Sequence, residues 1–230
     1  MGSIPAVPGG AVAPVGRSGR ADRLGSWRGA AVAVAVVLGV LWAVELVNVV
    51  TGDRLDSLGI RPRSLVGIPG ILAAPLLHAS VSHLLDNTVL LAVLGWIGLV
   101  GNSRRFVAVT GIAWVASGLG AWLLGASGSV VVGASGVVYG WLAYLIVRGW
   151  VAHRLSQAVL GVALLVFVGF SAIWGVLPLT AANVSWQGHL FGAAGGVLGA
   201  LLLDARRTAR PRPVLPVTPT LPTLPGPPGE

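Results

Sequence analysis

The chain of 230 residues has no cysteine, no lysine, and few charged groups of either sign. Lacking cysteine, it has no disulfide, no thiol nucleophile and no thiolate metal site. Charged residues make up 10% of the chain and hydrophobic ones 55%, with a mean hydropathy of +0.86. A soluble domain carries about 25% charged residues. So little charge cannot cover a water-exposed surface, and the chain reads as an integral membrane protein. The net charge of +8 comes from fifteen basic residues, all arginine. They cluster at the ends of apolar runs, a pattern of membrane topology and not of nucleic-acid binding.

Six apolar segments stand out, at about 29–50, 83–101, 106–124, 135–148, 156–176 and 186–203. The expected fold is all-α and polytopic, with six transmembrane helices over residues 29–204. Residues 1–28 and 205–230 read as disordered cytoplasmic ends, the second arginine-rich and then proline-rich. No cleavable signal peptide is evident. Arg17, Arg20, Arg23 and Arg28, the Arg104–Arg105 pair, Arg148 with Arg154, and Arg206 to Arg212 flank alternate connections, which puts both termini in the cytoplasm. The loop 52–77 dissents, with Arg54, Arg61 and Arg63. Its prolines 62, 69 and 75 make it a separate element lying partly in the interface.

The fourth segment is short. From Ser135 to Val147 a helix rises about 18 Å, against a hydrocarbon core of about 30 Å. With Arg148 at the cytoplasmic face, Ser135 lies below the outer face, approached through the glycine-rich stretch 125–129. Non-helical backbone at that depth is tolerated only where it is buried in protein or lines a watery cavity. His189 lies about 22 Å above Asp204 at the end of segment six, which is nearly the depth of Ser135. His83 and Asn87, four residues apart, share one face of segment two in the outer half. His78 falls on a different face, in the approach to that helix, where Ser80 or Ser82 can cap.

Three segments thus bring a serine, a histidine and a His/Asn pair to one depth. Ionisable residues inside a membrane are functional candidates. Serine attack on a carbonyl needs a base, and histidine has a suitable pKa. His83, Asn87 and the Ser135 amide can supply donors to an oxyanion near a helix N-terminus. No carboxylate is available to orient His189, so a Ser–His dyad is expected, with Tyr139 one turn after Ser135 to pack on the imidazole. No carboxylate or cysteine completes a metal set with the histidines, so neither metal nor cofactor is expected.

These motifs resemble the rhomboid family of intramembrane serine proteases. Gly133-Ala134-Ser135-Gly136 with Tyr139 is similar to its GxSG nucleophile and stacking tyrosine. His189 with Gly192 and Gly196 follows its HxxGxxxG helix, and His78, His83 and Asn87 follow HxxxxHxxxN. The resemblance implies Ser135 as nucleophile and His189 as general base and acid. It makes His83, Asn87 and the Ser135 amide the oxyanion hole, with Gly133 and Tyr139 supporting. His78 becomes structural or rim-forming, Gly136 structural, and Gly192 and Gly196 the close contact of segment six with segment four. It also implies single-span membrane proteins as substrates, cut in or near their transmembrane segment. Pro69 and Gly70 stand where many members have a Trp-Arg pair, Asn102 where an acidic residue often ends segment two, and Asp86 where many have an apolar residue.

The expected function is therefore an intramembrane serine endopeptidase of a bacterial plasma membrane, its site open to the extracytoplasmic side and edged by loops 52–77 and 177–185. The loop 177–185 is the expected moving cap. A catalytically silent client-binding relative and a small proton-coupled transporter are the alternatives. The bilayer and transmembrane substrates are the expected partners, and the sequence sets no oligomeric state.

Overall fold

The computed structural model describes residues 24–169, 172–178 and 184–204. The proline-rich tail, residues 1–23 and most of the loop 177–185 lie outside the described residues, as do the expectations of disorder and of a moving cap attached to them; at the end of the segment 1–28 expected to be disordered, Trp27 and Arg28 instead open the first helix, with Ser26 as its cap. Among the described residues the regular structure is helical, apart from one antiparallel bridge between Ile60 and Val131. Helix α1 spans Trp27–Val50, α2 Gly70–Ala73, α3 Val81–Leu124, α4 Ser135–Val151, α5 Leu155–Leu164 and α6 Trp186–Leu203. A π-helical turn, Leu165–Gly169, extends α5, and a 3-10 turn follows at Ile173–Val176.

The starts of three helices are written in serines. Ser26 accepts the Gly29 N–H at 3.1 Å, Ser80 the His83 N–H at 3.1 Å, and Ser185 the Gly188 N–H at 3.3 Å. Each satisfies an amide that the helix itself leaves open. Apolar segments two and three form one bent element, α3. Its bend is at Asn102, whose φ of −169° and ψ of 94° leave the helical region. The Asn102 side-chain carbonyl accepts the Arg105 N–H at 3.1 Å and so caps the second arm.

Four stretches are long and apolar enough to cross a membrane: Trp27–Val50, Val81–Val100, Asn102–Leu124 and Trp186–Leu203. At 17 residues α4 is shorter, as is the apolar stretch Leu155–Gly169. Much of the outward surface is apolar, for example Val50 at 77% exposure and Phe167 at 83%. Such surface belongs against lipid and not water. The centre is occupied by α6, packed on α3 and α4, while α1 packs on α3 at the periphery. Leu84, Leu94, Val109, Tyr144 and Leu145 form the most buried part of the core. At the C-terminal end of α6 Arg105 pairs with Asp204, tying the second arm of α3 to the end of α6. Arg148 is buried over the Tyr144 ring and not displayed at a surface.

The dissenting arginines of loop 52–77 have a local explanation. The Arg63 guanidinium donates to the Leu123 carbonyl and to Ser127, and its backbone N–H donates to the Trp122 carbonyl at 2.9 Å. The Trp122 indole returns a hydrogen bond to the Ser64 carbonyl at 2.9 Å. Arg63 thus serves the packing of this loop against α3.

Candidate active site

Three helix starts converge. Ser135 is the first residue of α4, His83 the third of α3 and His189 the fourth of α6. First-turn amides have no partner inside their own helix and carry the positive end of its dipole. The meeting of these ends makes a place suited to developing negative charge.

Glycines set the approach of α6 to α4. A Cβ at Gly192 would run into the Gly136 carbonyl, and one at Gly196 into the Gly140 carbonyl. Only without side chains can the two backbones lie this close, the usual device of membrane helix pairs. At the resulting separation His189 Nε2 stands 2.7 Å from Ser135 Oγ. Nδ1 of the same ring stands 2.8 Å from the Gly175 carbonyl oxygen. A carbonyl only accepts, so Nδ1 carries the proton and Nε2 is left to accept from the serine hydroxyl. Tyr139 stacks on the imidazole, with ring centroids 4.2 Å apart and planes 9° apart, and its hydroxyl donates to the Ala172 carbonyl at 3.0 Å.

The expected dyad residues are thus within hydrogen-bonding distance, and His189 is buried while Ser135 is half-buried. The orienting Gly175 and Ala172 carbonyls are absent from the sequence reading. Nothing in a side chain announces them, because any residue offers a carbonyl. A Cβ on Gly175 would meet the Tyr139 hydroxyl and come within 3.3 Å of His189 Nδ1, so this position takes only glycine without a shift.

The other side of the site is built on Gly133 and α3. Gly133 has φ +122°, a conformation that favours glycine. A Cβ there would stand 2.7 Å from His83 Cε1, so the His83 ring lies directly against this turn. Asn87 is buried, and its amide donates to the His83 carbonyl at 3.0 Å. That bond uses one of its two N–H groups.

His78 is neither on the rim nor at the reacting groups. It is 1% exposed beneath the turn, with its ring 5.2 Å from that of His83. Nε2 accepts the Ala134 N–H at 3.5 Å, and its own carbonyl accepts from Asn48. Burial, with His83 nearby, pushes the His78 imidazole down to about 4, so it is neutral at physiological pH. It supports the backbone immediately before Ser135.

The domain model described as the Rhomboid domain matches residues 67–206, which hold all of these groups. The chain belongs to the rhomboid family. It is a multi-pass membrane protein of that family, with the helical architecture described above. Uncharacterized proteins of Mycobacterium tuberculosis (strain H37Rv) and Mycobacterium bovis are each 40% identical to it over 185 residues, which is 77% of this chain and 77% of the relative. An uncharacterized protein of Mycobacterium leprae is 36% identical over 186 residues, covering 78% of this rhomboid chain and 73% of its own.

Proposed function

We propose that this rhomboid-family protein is an intramembrane serine endopeptidase that cuts single-span membrane proteins in or near their transmembrane segment. The observation that carries the reading is the 2.7 Å contact of Ser135 Oγ with His189 Nε2, on a ring whose other nitrogen is held by the Gly175 carbonyl. Ser135 Oγ attacks the scissile carbonyl while Nε2 takes its proton. The tetrahedral oxyanion is met by the Ser135 amide, with Asn87 and His83 as further donors. His189 then gives its proton to the leaving amine, and an acyl-enzyme remains on Ser135. Water, deprotonated by the same Nε2, releases the acid and restores the serine. The chemistry calls for a path for water and for an unwound substrate strand, so substrates carry helix-weakening Gly, Ala, Ser or Pro near the cut.

In this reading the short helix α4 and the segment 155–176 complete six crossings. Both termini are cytoplasmic, in a bacterial plasma membrane, and the site opens to the extracytoplasmic side. Cleavage of a panel of single-span substrates by the purified chain tests the function, with Ser135→Ala and His189→Ala alongside. Activity present in the wild type and at background in both variants is the expected result. A folded wild type that neither cleaves nor reacts at Ser135 with a fluorophosphonate would favour a catalytically silent, client-binding role.

A further inference from the structure

Asp86 is the one acidic residue of the apolar stretch Val81–Val100, and it is exposed. Among the described residues it takes part in no ion pair. An ionised side chain facing hydrocarbon is costly, most at a helix centre and less toward the ends. Asp86 sits in the second turn of α3, where the helix dipole recovers only part of such a cost.

Its angular position says what it borders. With about 100° per residue, Asn87 lies about 40° to one side of His83 and Asp86 about 60° to the other. Continuing past Asp86 come Val89 and Leu85, at 61% and 55% exposure, which face lipid. The far side of the helix is fixed by Thr88, whose hydroxyl accepts from the Trp42 indole of α1 at 3.2 Å. Asp86 therefore occupies the edge between the site-facing and lipid-facing surfaces, on the side turned away from α1. That edge adjoins the His83 ring, which lies against the Gly133 turn just before Ser135.

We infer that Asp86 is a specificity-determining residue, pairing with a lysine or arginine side chain of the substrate close to the bond that is cut. The inference rests on the protease reading above. The carboxylate and His83 are three residues apart, about 4.5 Å along the helix axis. An extended substrate advances about 3.3 Å per residue. The cation thus falls within about four residues of the scissile bond, allowing for the reach of its own side chain.

The test uses the full chain reconstituted in phosphatidylcholine vesicles, with a single-span substrate carrying Lys, Gln or Glu at each of the four positions on either side of the cut. The wild type is expected to prefer Lys over Glu at one register by about tenfold in kcat/KM, a discrimination typical of a partly desolvated charge pair. Asp86→Asn should erase that preference, Asp86→Lys reverse it, and Asp86→Glu keep its sign. Reaction of Ser135 with a fluorophosphonate reports whether each variant is folded, and slowing of that reaction by uncleaved peptides of each charge gives a second readout of binding. Charge-blind cleavage and binding in a wild type that does cut, or a preference unchanged in Asp86→Lys, overturns the assignment of Asp86 and leaves the protease reading standing. A wild type with neither cleavage nor Ser135 labelling removes both.

Discussion

The two sides of His189 are held by different means. On one side, the seam of α6 with α4 is backbone against backbone, with Gly192 over Gly136 and Gly196 over Gly140. On the other, the stretch after α5 holds the ring through the Gly175 carbonyl and holds the stacked Tyr139 through the Ala172 carbonyl, both borne on short and irregular turns. The seam is close-packed and tolerates no added atom. The carbonyl side is thin, and its outer residues Phe167 and Trp174 are 83% and 62% exposed. The contrast separates two requirements of a serine–histidine pair: the seam fixes the distance between oxygen and nitrogen, and the Gly175 carbonyl fixes which nitrogen carries the proton.

The largest break in this comparison should come from Gly192→Val. Branched carbon driven into the Gly136 carbonyl requires the helices to part, at about 1–3 kcal/mol or more for overpacking. Cleavage should fall by about a hundredfold or more, as misplacement of reacting groups by about 1 Å does, and the melting temperature should fall with it. Gly175→Ala should separate the two sides. Activity is expected to drop about tenfold through displacement of Tyr139 and His189, with the melting temperature close to wild type. A melting temperature lowered as much as in Gly192→Val would show that both sides are one rigid unit. Tyr139→Phe keeps the stack and removes only the bond to Ala172, worth about 1 kcal/mol. A loss of a few-fold in kcat is expected, and an unchanged pH profile would show that the tautomer depends on Gly175 alone.

The smallest effect concerns the support below the site. The folded-state pKa of His78 is about 4, below its ordinary 6.5. Between those values the unfolded chain binds a proton that the folded chain does not, so stability falls as pH drops through that window and is level above it. Thermal unfolding followed from pH 7.5 to pH 4.5 should show this decline, and His78→Gln should flatten it. An equal slope in the variant would move the origin of the decline elsewhere.

Much of the site was legible because its chemistry resides in side chains at helical spacing. Ser135, His189, His83 and Asn87 can be found by matching depth along apolar segments of known rise, and Tyr139 by its place one turn after the serine. Gly192 and Gly196 can be read because small residues at membrane helix faces have few other purposes. The role of Arg63 was not legible, since a guanidinium that bonds carbonyls looks in sequence like one that faces the cytoplasm. For His78 the resemblance left a structural and a rim position open, and the structure buries it. Its burial depends on Asn48 and Ala134, which are distant in sequence.

By itself the sequence determined the solvent of this protein, its helical segments and the identities of the groups that meet. Those follow from composition and local periodicity, which every stretch of chain carries within itself. Only the tertiary structure decided that Ser135 and His189 stand 2.7 Å apart, and that the histidine is oriented by a backbone carbonyl where a carboxylate was sought and not found. The physical reason is that a peptide carbonyl is the same at every residue, so its function arises from where the fold puts it.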